Sequence, residues 1–298
     1  MSSTQTPTYG GQAVLEGVMI RGQKNVSVSV RSPSGEIKTQ VKPIANIFRS
    51  KYRKTPLIRG VIALIETLII GMNALNYSSS VAMEEENTTP NKASIALMIS
   101  ISLSLAIGLF FILPLLISTP FEGILGSNIL SNIIEGIARL IIFIGYIYVI
   151  GLMPDIKRVF MYHGAEHMTV HAQENNLELN LSNIKKYPTA HPRCGTAFLL
   201  TIMLIAVIIF ILIPRESMII VVSSRIFLVP FIASLSYEFI RLSSIYQTNF
   251  LMRAIASPSL WLQSLTTRQP DDDQIEVAIV AMTSAIEADE TSSASSVA

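Results

Sequence analysis

All four histidines of this chain and its only cysteine fall between His163 and Cys194. The string His163-Gly-Ala-Glu166-His167 sets two imidazoles at i,i+4 and a carboxylate at i+3, so on a helix all three share one face. Two imidazoles so placed can ligate one divalent metal, with zinc the expected ion, while Glu166 stands beside it as a general base for water. Reversed-zincin proteases carry the same HxxEH order and take a third ligand from elsewhere. The natural candidates here are His191 and Cys194, an HxxC pair beside Pro192 and Gly195, with His171, one turn further along the helix, a weaker one. Residues 175–188 read as a turn and a short helix capped by Ser182 and stopped by Pro188, which folds the HxxC pair back against HGAEH.

Each residue also has a plainer reading. Histidines near a membrane surface often serve only as hydrogen-bonding groups, and a lone cysteine packs as a small hydrophobe. The collection of these groups in one segment is what favours a metal. A fully occupied tetrahedron would be structural, whereas catalysis needs a position open to water.

The elements that must hold this segment are apolar. With 50% hydrophobic residues, 14% charged residues and a mean hydropathy of +0.49, the chain belongs with integral membrane proteins. Four stretches, at about 95–117, 129–152, 197–213 and 218–240, suit membrane-spanning helices. Residues 61–80 are helical by pattern but carry Glu66, and read as an interfacial amphipathic helix. Residues 1–60 hold ten Lys/Arg against two acids, and 271–298 hold seven acids and no base. A basic arm beside membrane spans points to retention on the cytoplasmic face, next to anionic lipid, rather than to nucleic acid. One cysteine excludes an internal disulfide, and the N-terminus lacks a signal-peptide pattern. Segment 153–195 carries five Lys/Arg while the short connections 118–128 and 214–217 carry only Arg215. Both termini and the histidine segment are therefore expected in the cytoplasm, or on the stromal side in a plastid.

The expected fold is an α-helical integral membrane protein with about four spans, interfacial helices and a small cytoplasmic β element. Its divisions are a basic arm (1–60), an interfacial helix and linker (61–92), spans 1 and 2 (93–152), the His/Cys segment (153–195), spans 3 and 4 (196–242), and an interfacial anchor, amphipathic helix and disordered tail (243–298). In the arm, residues 8–22 contain Gly10, Gly11, Gly17 and Gly22 without a phosphate-loop pattern, implying tight turns and close backbone approach. Alternation at Val26, Val28 and Val30 and again at Ile37, Thr39 and Val41, around a Pro33/Gly35 turn, predicts a β-hairpin. Within the spans, Glu135 and Arg139 at i,i+4 can pair or face a polar cavity, while Arg225 and Glu238 can snorkel to an interface. Trp261 with its leucine neighbours suits an interfacial anchor. The apolar stripe Ile275, Ile279, Met282 and Ile286 predicts a C-terminal amphipathic helix that offers a face to a protein partner.

The strings GGQAVLEGVMIRG, RGVIALIETLIIGMNALNYS, YHGAEHMTVHA, HPRCGTAF and LWLQSLTTRQPDDDQIEVAI, in this order, resemble the YqhQ-like family of multi-pass membrane proteins. The resemblance implies a membrane protein of the kind described as a metal-dependent enzyme of unassigned reaction. By motif it brings in Gly11, Glu16, Gly17, Arg21, Glu66, His163, Glu166, His167, His191, Arg193 and Cys194. The leading expectation is a metal-dependent hydrolytic membrane enzyme. In it His163, His167 and one or both of His191 and Cys194 hold the metal, and Glu166 is the base. Arg193 would stabilise an anionic substrate, membrane-associated but unidentified, and Glu16 with Arg21 would complete the site if the Gly-rich arm folds over it. The competing expectation is a scaffold, assembly factor or regulator with a structural clasp; a transporter has only the charges within the spans behind it.

Overall fold

The computed structural model of the chain describes residues 9–49, 55–83, 92–125, 127–192, 194–215, 217–246 and 249–294. Its N-terminal part is a four-stranded antiparallel meander, β1 (Gly10–Val14), β2 (Gly17–Arg21), β3 (Asn25–Arg31) and β4 (Ile37–Pro43), paired in chain order. The expected hairpin is the pair β3 and β4, with Val28 opposite Gln40 and Val30 opposite Lys38. Residues 8–22, expected as turns, instead supply two further strands joined at Leu15 and Glu16. The close-approach part of that reading holds at two glycines. A Cβ on Gly11 would strike the Met19 carbonyl, and one on Gly17 would strike that of Ser29.

Both faces of the sheet are covered. Alternation sends Val18 and Ile20 to one side and Met19, Val26, Val28 and Val30 to the other. The first side packs on α5 (Pro154–Glu174) and α10 (Asp272–Ala294) through Tyr162, Ala165, Met168, Ile275, Ala278, Ala281 and Met282. Ser27 and Ser29, fully buried strand residues with small side chains, let the alanine-rich face of α10 come close. The apolar stripe expected to meet a protein partner is thus covered by the chain's own sheet and α5. α10 also continues to Ala294, so the first residues of the expected disordered tail are helical, and 295–298 lie outside the described residues.

The second side of the sheet packs on α1 (Ile58–Ala82), whose Ala74 and Val81 join the valines of β3. Among the described residues, four helices are long and apolar enough to cross a membrane: Ile58–Ala82, Ala96–Phe121, Asn128–Ile150 and Ile219–Ser243. The number matches expectation; by length and composition α1 joins the set, while its Ala74 and Val81 pack on the sheet as an interfacial helix would. α1 qualifies by length and composition despite Glu66, whose carboxylate accepts from Arg21 of β2 at 2.8 and 3.1 Å. The helix expected as the third span, α7 (Gly195–Ile211), is apolar with 17 residues, at the short end of spanning lengths. The other apolar elements are α2 (Lys92–Ile107), a π-helical turn (Gly108–Ile112), α3 (Leu113–Leu125), α4 (Asn128–Ile150), α8 (Met218–Ile245) and α9 (Phe250–Thr266). α6 (Leu181–Ile184) is a single turn capped by Asn180, whose side chain accepts from the Asn183 N–H; Ser182, expected as the cap, instead donates to Asn180.

Among the described residues, Glu135 and Glu238 of the apolar helices are both paired with arginines. Glu135, 2% exposed, accepts from Arg139 at 2.5 Å, Arg215 at 2.7 Å and Arg225 at 2.8 Å. The π-helical turn contributes too, since Arg139 donates to the Phe110 carbonyl at 2.9 Å. Glu238, expected to snorkel, accepts from Arg59 and from the Leu57 N–H, tying the start of α1 to α8.

Candidate metal centre

Helix α5 begins at Pro154, whose fixed φ suits the first helical turn, and runs under β1 and α10. Its period places His163, His167 and His171 at i, i+4 and i+8 on one face. Each ring is held by a backbone carbonyl: His163 Nδ1 donates to Thr266 at 2.9 Å, His167 Nδ1 to Thr189 at 2.6 Å and His171 Nε2 to Ala190 at 2.9 Å. A carbonyl can only accept, so these bonds put the proton on the named nitrogen and leave a lone pair on the other. That is the arrangement by which surrounding groups orient metal-ligating histidines.

Ligand atoms of His163, His167 and Cys194 lie within 4.8 Å of one another, and His163 Nε2 is 3.1 Å from Cys194 Sγ. Bonds of about 2.0–2.3 Å from nitrogen and sulfur to zinc require separations of this order. Cys194 and His167 are buried, whereas His163 is half-buried, so the group opens on the His163 side. Glu166 lies against it, with Oε2 3.5 Å from His167 Nε2. Burial pushes the Glu166 carboxyl above its ordinary range, opposed by His163, His191 and the Gly11 N–H. Burial likewise pushes His167 and His191 below the ordinary imidazole value of 6.5.

The expected residues that are described divide among four places. His191 does not join His163, His167 and Cys194 but meets His171 and Glu174, with Nε2 3.2 Å from Glu174 Oε1. The Gly-rich arm does fold over α5: Gly11 bonds to Glu166, and a Cβ there would press on the Glu166 side chain. Glu16, at φ 50 in the β1–β2 turn, is instead held by Arg158 at 2.5 and 2.6 Å and by Tyr162 at 3.3 Å. Arg21 is engaged with Glu66, and Arg193 lies outside the described residues. Sequence reasoning missed Glu174 and Gln263. Glu174 extends the 4, 4, 3 spacing of His163, His167 and His171, a signal that was available. Gln263, fully buried on α9, grips the His191 backbone, accepting its N–H and donating to its carbonyl, both at 2.8 Å.

Residues 55–288 match the family described as "Protein of unknown function (DUF1385)". The chain belongs to that family. It is 33% identical over 291 residues, covering 92% of this chain and 90% of the other, to "Uncharacterized protein YqhQ" of Bacillus subtilis (strain 168). No solved structure matches the chain. The DUF1385 match spans α1 to α10 and so contains every residue of both histidine groups.

Proposed function

We propose that the chain is a metal-dependent membrane enzyme, hydrolytic in type, with its centre facing the cytoplasm. The observation that carries this reading is the convergence of His163, His167 and Cys194 beside a buried carboxylate, with both histidine rings held by carbonyls. Two imidazoles and a thiolate suit zinc, and three protein ligands leave one position open. When bound, the ion would supply Lewis acidity, polarising a substrate oxygen and easing ionisation of water. The protein's own part lies with Glu166. Desolvation keeps its carboxyl ready to take up a proton at Oε2 and return it to a leaving group. Gly11 donates to that carboxyl and fixes its direction, while β1 shields it from bulk water. The cytoplasmic side is supported by the five Lys/Arg of 153–195, and the open edges of the sheet keep that unit out of the hydrocarbon. A substrate reaching a centre beside apolar helices is membrane-associated.

The test is elemental analysis of detergent-purified protein, with turnover of lipid-linked, phosphoester and peptide substrates by wild type and Glu166→Gln. Stoichiometric metal that is lost in His163→Ala, with turnover abolished in Glu166→Gln, supports the enzyme. Metal present with equal turnover in both proteins removes Glu166 from catalysis. A second reading, a structural clasp in a scaffold or assembly factor, is favoured by the burial of Glu166, His167 and Cys194. Stoichiometric metal without turnover of any substrate class would favour it.

A further inference from the structure

Beside the first group lies a second that uses none of its residues. Ligand atoms of His171, Glu174 and His191 lie within 4.8 Å of one another, with His191 Nε2 3.2 Å from Glu174 Oε1. The two groups adjoin. Ring centroids run from His163 to His167 at 4.4 Å, from His167 to His191 at 5.7 Å and from His191 to His171 at 4.5 Å, four imidazoles in an unbroken row. This second group is built rather than incidental. His171 is held by the Ala190 carbonyl and stacked on Tyr187, and the backbone of His191 is clamped by a glutamine from another helix. A simple ion pair needs one imidazole and one carboxylate. A second imidazole, oriented by its own carbonyl, is a further donor at the same point, and a cation is what three such donors suit together.

Resting on the metal centre proposed above, we propose that the chain holds a second divalent cation through His171, Glu174 and His191, forming a two-ion centre with Glu166 alongside. Two imidazoles and a carboxylate lack the sulfur of the first group and suit iron(II), manganese(II) or zinc. A pair of ions there would stabilise the attacking and leaving oxygens of an in-line displacement at phosphorus, so the substrate class narrows to phosphoesters.

Cobalt(II) titration of chelator-stripped, detergent-solubilised full chain tests this, because only the first group has a thiolate to give a sulfur-to-metal charge-transfer band. Wild type should take up two equivalents. Glu174→Gln and His171→Gln should each take up one and keep the band, whereas His163→Ala should take up one and lose it. Two conservative variants on opposite sides of the group guard against one failing to fold, and size-exclusion elution confirms which is intact. If wild type takes up one equivalent with the band, and Glu174→Gln leaves it unchanged, the second site is overturned and the first stands. One equivalent without the band, lost in Glu174→Gln and unaffected by His163→Ala, overturns the first and leaves the second cation standing alone. No uptake overturns both.

Discussion

Replacing Gln263 by leucine should loosen the centre without touching a ligand. The side chain is fully buried, and its amide accepts from the His191 N–H and donates to the His191 carbonyl, each at 2.8 Å. Leucine keeps much of the volume, so little cavity forms, but the His191 N–H and carbonyl lose their partners. A buried polar group stranded in this way costs about 1–3 kcal/mol, so two should cost about 2–6 kcal/mol, the lower half applying if the 190–192 loop can turn them toward water. Trp261, the only tryptophan, lies two residues away on the same helix and is half exposed, so its fluorescence reports the docking of α9. Denaturant unfolding followed by that signal should show a clear loss of stability in Gln263→Leu. Cobalt bound without thiolate character should weaken more than cobalt bound with it. An unfolding midpoint equal to wild type, with both uptake steps intact, would show that the clamp on His191 does not hold the group together.

Glu135→Gln should be among the most damaging single changes, because it strands guanidiniums from Arg139, Arg215 and Arg225; breaking a buried pair costs about 3–5 kcal/mol. Thermal aggregation in detergent would read this, and adding Arg225→Leu should recover part of the loss. Asp289 of α10 accepts from the N–H groups of Gln23, Lys24 and Asn25 at 2.5, 2.9 and 2.9 Å, so Asp289→Asn should cost about 2–3 kcal/mol through loss of charge-assisted bonds, seen as faster proteolysis of the 22–25 turn. The metal-free protein should lose stability as pH falls below 6.5. His167 and His191 have folded values below 6.5, so the unfolded chain takes up protons there that the folded chain excludes; unfolding midpoints across pH 5 to 8 (roughly the histidine range) check the sign. For Glu166 the sign is opposite: its raised folded value makes its contribution fall as pH rises above its ordinary 4.5, and Glu166→Gln should abolish that slope.

Those parts of the fold that follow a short period can be read directly from the chain. Alternating valines mark β3, and the i,i+4 histidines with Glu166 mark the working face of α5. β1 and β2 escape because glycines at 10, 11 and 17 leave no side chain to alternate, and strand pairing rather than local pattern makes them strands. Glu66 of α1 is paired with Arg21, 45 residues away, a contact that no local pattern announces. Separating His191 from Cys194 needed tertiary contacts, since three residues of spacing suggest one shared ion. The carbonyls of Thr189, Ala190 and Thr266 are invisible to any motif, because every residue has a carbonyl and only folding decides which ones meet a ring. Glu174 was within reach of spacing alone, because three residues after His171 it falls on the same face of α5.

Cys194 stands one residue before the first turn of α7, while His163 and His167 belong to a helix that packs under the sheet. Thr266, which orients His163, ends α9. The proposed centre therefore joins α5, which packs on the sheet, to the start of α7 and the end of α9, two apolar helices far apart in sequence, and its geometry depends on the docking of both. Any ion held there would close the joint only after α9 has docked.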